Sequence, residues 1–155
     1  MAYHYKLETL LTVRRNREEQ AQQRLAHELF VLENHKKYLA SLEEERLELY
    51  TALEERKRTT MTAGMFSFYV EAIHMKNRMI AFQHNAVLAQ QELIEGVRAE
   101  LLVKVKARKV VERLKEKDFL AWRQEVLRKE QIESDEQAVM RFGKGLGLGK
   151  EEVAR

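Results

Sequence analysis

IHMKNRMIAFQHNAVLAQQELIEGVRAEL, residues 73–101, places an aliphatic side chain at every seventh position: Ile73, Ile80, Val87, Ile94 and Leu101. A period of seven keeps one stripe on one side of a slightly supercoiled helix. The helical pattern extends to either side, from about Ser67 to Phe142, with no proline and one glycine, Gly96. At ~1.5 Å of rise per residue, a helix of that span is on the order of 110 Å long. No ordinary globular domain houses such a helix, so the rest of the chain has to partner it.

The first half supplies the partner. Leu11, Leu25, Leu32, Leu39 and Leu53 fall on one heptad row, which also holds Glu18 and Arg46. Ala21, Leu42 and Leu49 make a second row beside it, interrupted by Glu28, His35 and Lys36. A mixed seam is weaker than an all-leucine one but fixes the register, because a slip would set charge against leucine. Glu8 suits the positive end of this helix and Arg56, Lys57 and Arg58 the negative end. The period then breaks at Thr59–Gly64, a polar, β-branched, glycine-containing stretch. A connection that short joins antiparallel neighbours.

The expected fold is therefore all-α: two long helices in an antiparallel coiled-coil hairpin, the second overhanging the first. The pattern predicts one domain over 1–142, with helix 1 at about 5–58, a turn at 59–66 and helix 2 at about 67–142. A flexible tail at 143–155 follows, where Gly143, Gly145, Gly147 and Gly149 alternate with lysine and leucine. With the turn near residue 62, the numbers of facing residues should total roughly 125. Leu53 then meets the Ala72–Ile73 turn, Leu32 the Leu93–Ile94 turn, and Leu25 the Leu101 turn. The predicted seam comprises Leu25, Leu32, Leu39 and Leu53 against Ile73, Ile80, Val87, Ile94 and Leu101.

Composition excludes several functions. Charged residues make up 34% of the chain, hydrophobic ones 45%, and proline and cysteine are absent, the signature of long helices. Without cysteine there is neither a disulfide framework nor a thiolate metal site, which fits a reducing compartment. The opening residues lack the apolar core of a signal peptide, and no apolar run is long enough to insert in a membrane. The net charge is only +3; ten Lys/Arg stand against five Asp/Glu over 101–130, too mixed a balance for nucleic-acid binding. The glycine tail fails as a phosphate loop, because Lys144 and Glu151 occupy the places of an essential glycine and a hydroxyl residue. His27 and His35 lie two turns apart, too far to share a metal. Glu43, Glu44 and Glu45 sit on a solvated face, and a two-helix seam offers no pocket in which to perturb them. No catalytic, cofactor-binding or metal residues are expected; this is not an enzyme.

Two sticky surfaces remain. The first helix runs out near Tyr5, opposite about residue 120, so Ala121–Phe142 projects ~30 Å beyond its partner. Trp122, Val126, Leu127, Ile132, Val139 and Met140 make that projection too apolar to stay bare, and predict a docking surface. At the turn, Phe66, Phe68 and Tyr69 gather with Met61, Met65 and Tyr50. They either cap the open end of the seam or form a partner-binding tip that includes Leu42 and Leu49. Phe119 is expected to pack on Tyr3, Tyr5 and Leu7, while Trp122 has either role open to it.

Three segments in order resemble the FliJ family of bacterial flagellar type III export. The opening Tyr5-Lys6-Leu7-Glu8-Thr9-Leu10-Leu11 is similar to the family's aromatic-x-Leu-Glu-x-Leu-Leu start. Gly64, Phe66, Tyr69-Val70 and Ile73 resemble its turn into the second helix. Asp135-Glu136-Gln137-Ala138 followed by Arg141-Phe142 resembles its Asp-Glu-x-Ala-x-x-Arg-Phe end. The glycine tail departs from the pattern. The resemblance implies a non-enzymatic, stalk-like component that binds the hexameric export ATPase and links it to the export gate and chaperones. Its implied partners are that ATPase, its regulator, the export-gate membrane protein and export chaperones. Its implied place is the cytoplasm, at the inner face of the cell membrane, as a monomer when alone. On this reading the paired termini and the overhang Ala121–Phe142 enter the ATPase ring, and the tip around Leu42–Tyr50 and Phe66–Met79 faces the gate. The alternatives are the equivalent stalk protein of a virulence injectisome and a homodimeric coiled-coil scaffold.

Overall fold

The computed structural model describes residues 2–148. Two helices account for nearly all of them: α1, Glu8–Lys57, and α2, Ala63–Leu148. The described residues divide between two compact units, Arg15–Lys106 and 2–14 with 107–148. In each unit α1 and α2 run antiparallel, giving the expected all-α hairpin.

Local chemistry sets the ends of the helices. Glu8 lies in the first turn of α1, and Arg56 and Lys57 in its last, each placed favourably toward the helix dipole. The final carbonyls of α1 accept bonds from Arg58 N at 3.3 Å and from Thr59 N and Oγ1 at 3.1 Å. The connection is shorter than the expected 59–66. Thr62 Oγ1 accepts a bond from Met65 N at 3.2 Å, and Thr62 O one from Phe66 N at 3.1 Å. Thr62 is thus the N-cap, and α2 begins at Ala63 rather than at about 67. At the other end α2 runs on past 142 through Gly143 and Gly145, neither of which takes a positive φ. The left-handed cap that a terminating glycine provides is absent there. The remainder of the expected tail, 149–155, lies outside the described residues.

The unit Arg15–Lys106 is a seam one residue pair deep. Leu42, Leu53, Ile73, Val87, Ile94 and Val97 are buried, and Leu25, Leu32, Leu39, Ile80 and Leu101 are half-buried. Each fully buried aliphatic side chain contributes about 1.5–3 kcal/mol. Beside the aliphatic row of α2 runs a second row at three-residue offset, which includes the buried Gln83 and Gln90. Gln83 Nε2 donates to His35 O at 3.0 Å and lies 2.9 Å from His35 Nδ1. Gln90 Nε2 donates to Glu28 O at 3.0 Å and to Glu28 Oε2 at 2.6 Å. Left unpaired, each amide would cost about 1–3 kcal/mol. Nearer the connection Lys76 pairs with Glu45, and Arg46 Nη1 donates to Asn77 Oδ1 at 3.1 Å. Farther along, Arg24 meets Glu100 at 2.9 Å. Residue numbers rise on one helix as they fall on the other. Glu28 and His35 are seam members as expected, but Lys36 is exposed and interrupts nothing.

Because Ile94 is 3% exposed in this thin seam, Ile94→Lys should lower stability by about 3 kcal/mol or more. Phe82→Lys, at a site 78% exposed, should change it by no more than about 0.5 kcal/mol. Thermal unfolding followed by far-UV circular dichroism checks both.

Candidate interaction surfaces

In the second unit the residues before α1 dock on α2. Tyr5 and Leu11 are buried against Val111, and Tyr3 packs on this cluster. Tyr5 Oη donates to Val111 O at 3.2 Å, and Arg14 Nη1 donates to Ala107 O at 2.6 Å. Lys115 Nζ bonds Glu8 at 2.6 Å and stands 5.8 Å from the Tyr5 ring centre. Tyr5 therefore lies outside α1, whose expected start was about residue 5, yet it is buried against α2. Tyr3 Oη donates to Asp118 Oδ2 at 3.0 Å and to Lys115 O at 3.3 Å.

Three rings close this end. Tyr3 meets Phe119 edge-on at 5.1 Å and Trp122 at 5.4 Å, and Phe119 stacks on Trp122 at 5.7 Å. Phe119 packs on Tyr3 as expected. Trp122, proposed as a docking residue, is instead half-buried under Tyr3, and Val126 is half-buried as well.

The bare face starts beyond them. Every described residue from Leu127 to Leu146 is exposed, with Ile132 44%, Val139 71% and Met140 63% accessible. Ile132, Asp135, Glu136, Val139 and Met140 line one shallow groove. Phe142 and Leu146, not among the expected docking residues, are also bare at 73% and 63%. On a helix they share an arc with Ile132 and Val139. The seven-residue step from Ile132 to Val139 to Leu146 was the signal for this arc. It was obscured by treating the glycines as the end of the helix. Glu125 and Arg128 pair at 2.9 Å on this exposed stretch. The hydrogen bond from Arg128 holds the Glu125 carboxyl below its ordinary range, and the same bond raises Arg128.

Near the connection the residues part ways. Phe66 and Phe68 are exposed at 45% and 68%, Tyr50 at 45%, and Phe68 stands edge-on to Tyr69 at 5.8 Å. A shallow depression bounded by Thr62, Gly64, Met65, Phe68 and Tyr69 adjoins them. Leu42 cannot present itself to a partner, since it is 1% exposed, and Leu49 is half-buried. Both sit on the inner row of α1, which faces α2. Leu47 and Met75, which lie within the expected tip segments without having been singled out, are exposed at 65% and 54%.

The family model for the flagellar FliJ protein matches residues 3–147. No curated protein sequence matches. A solved structure described as a YscO homolog, CT670 from Chlamydia trachomatis, is similar at a TM-score of 0.48 and 20% identity, over 97% of this chain and 100% of that one.

The Tyr3 phenol is pushed up to about 12, first by its burial among the rings and then by its hydrogen bond to the Asp118 carboxylate. It holds its proton more tightly when folded than at its ordinary value of 10.0, so its contribution to stability is complete below pH 10 and lost as pH rises through about 12. Tyrosinate absorbance should contain a component titrating near pH 12, and Tyr3→Phe should remove it. Loss of amplitude near pH 10 instead would place Tyr3 free in solvent.

Proposed function

Because the chain belongs to the FliJ family of flagellar proteins, we propose that it is a non-catalytic component of type III protein export that works by gripping its partners. The observation that carries this reading is the bare amphipathic end of α2. Ile132, Val139 and Met140, with Phe142 and Leu146, present an apolar arc that no part of the described chain covers. An arc of that kind on a helix suits insertion between other subunits. The partner proposed for it is the hexameric export ATPase, into whose ring this end of the chain would enter as a stalk. Trp122 and Val126 then act from beneath, fixing where the free segment departs.

Phe66, Phe68 and Tyr50, with Tyr69 beside them, are proposed to meet the export-gate membrane protein. The ATPase regulator and export chaperones complete the proposed partners. No helix among the described residues is long and apolar enough to cross a membrane, so attachment at the inner face of the cell membrane would come through those partners.

Mixing the full chain with the export ATPase of the same organism and nucleotide should give a complex of one chain per hexamer with faster hydrolysis. Val139→Asp together with Met140→Asp should weaken that complex at least about tenfold while leaving the melting curve of the chain unchanged. Mass photometry and a phosphate-release assay read the two effects. Full binding by the double variant would remove the arc from the interface.

A further inference from the structure

Folding sorts the charges that look mixed along the chain between 107 and 124. Of the carboxylates there, Glu112 pairs with Arg108, and Asp118 accepts the Tyr3 hydroxyl. Of the cations, Arg108 is taken up by Glu112 and Lys115 by Glu8. Lys109, Arg113, Lys117 and Arg123 are left over. All four are exposed, and none has a side-chain partner among the described residues. Glu116 is the one carboxylate of the stretch exposed without a partner beside them.

Val111, Lys115, Asp118 and Trp122 carry the contacts to Tyr3, Tyr5 and Glu8. At helical spacing the four free cations fall on the other side of α2. Aliphatic side chains lie among them: Val110 is 56% exposed, Leu114 47% and Leu120 55%. Val110, Leu114, Lys117 and Ala121 follow one another at steps of four, three and four residues. This face stops short of the bare arc that begins at Leu127 and belongs to none of the surfaces assigned above.

Four unpaired cations call for an anionic partner, and the side chains between them decide which kind. Single-stranded nucleic acid is gripped by cations together with rings that stack on bases, but Phe119 and Trp122 are turned to Tyr3 instead. A bilayer takes a continuous apolar face with cations at its edges, whereas Arg113 and Lys117 stand in the midst of these aliphatic residues. Steps of four and three match the ridges of another α-helix. Pairing this face with its own copy would set Arg113 and Lys117 against like charges, whether the copies run parallel or antiparallel. We propose that the Lys109–Arg123 face of α2 docks one acidic amphipathic helix of another protein, with aliphatic residues at 3,4 spacing and carboxylates flanking them. Binding here does not depend on what the far end of α2 binds.

The probe is a labelled synthetic helix of about four heptads, leucine at 3,4 spacing and glutamate on both flanks, titrated with the full chain by fluorescence anisotropy. Saturable one-to-one binding is expected, weakening about tenfold or more as salt rises from about 0.05 to about 0.5 M. Arg113→Gln with Lys117→Gln should weaken it about tenfold or more, and Leu114→Gln about fivefold, with melting curves unchanged. Lys36→Gln with Lys37→Gln removes the same charge from exposed sites on α1 and should leave binding as it was. Absence of binding, equal binding by the Arg113 and Lys117 variant, or an equal loss in the Lys36 and Lys37 variant would overturn the proposal. So would equal binding of a lysine-flanked peptide with the same leucines. Tighter binding of vesicles rich in anionic lipid, or of a single-stranded oligonucleotide, would give the face to lipid or nucleic acid instead. Dimerisation abolished by Arg113→Gln with Lys117→Gln would give it to a second copy.

Discussion

A pair of helices has only one line along which a side chain is covered from both sides, and everything else in this protein follows from that geometry. There is no second layer to absorb an error, so a polar group on the line must be satisfied across it. Gln83 and Gln90 achieve this by reaching backbone carbonyls of His35 and Glu28 on the opposing helix. Aliphatic rows alone tolerate sliding by a heptad, since leucine still meets isoleucine or valine. The amides discriminate, because only this alignment sets Gln90 on the Glu28 carboxylate and Gln83 beside His35 Nδ1. The polar layers thus select the alignment, while Leu42, Leu53, Ile73, Val87, Ile94 and Val97 supply the apolar driving force. Ion pairs such as Arg24 with Glu100 lie in water and add little, about 0–1 kcal/mol.

Much of this was written plainly in the amino-acid order. The row from Ile73 to Leu101 is uniformly aliphatic, so its period needed no structure to be seen. Its companion row was hidden because its members include Gln83 and Gln90, which read as surface residues until their partners across the seam are known. Leu42 was taken for part of the binding tip because of its neighbours in number, although its own row, with Ala21 and Leu49, points inward. Thr62 looked like one more polar turn residue, yet its hydroxyl caps α2 and shortens the connection. Gly143 and Gly145 were read as helix breakers. Glycine costs a helix roughly 1 kcal/mol per position without forbidding it, and the last turns of α2 continue through both.

The candidate surfaces were legible in kind but less so in detail. Apolar residues with no partner in sight signalled docking, and Ile132, Val139 and Met140 are indeed bare. Trp122 illustrates why composition alone cannot finish the assignment. A tryptophan near the end of a partner helix serves equally as a binding hot spot or as a lid, and the deciding fact is where the residues before the first helix fold. Tyr3 lands on it.

That arrangement turns the molecule into its own optical sensor. The chain has a single tryptophan, and its indole lies against the phenol ring of Tyr3 and the ring of Phe119. Emission from Trp122 therefore reports the environment of one place only. Anything that peels the leading residues away would wet the indole and shift its spectrum, whereas events at the connection between the helices would leave it silent. Departure of the N-terminal segment is thus visible in real time, in the unmodified protein and without a label.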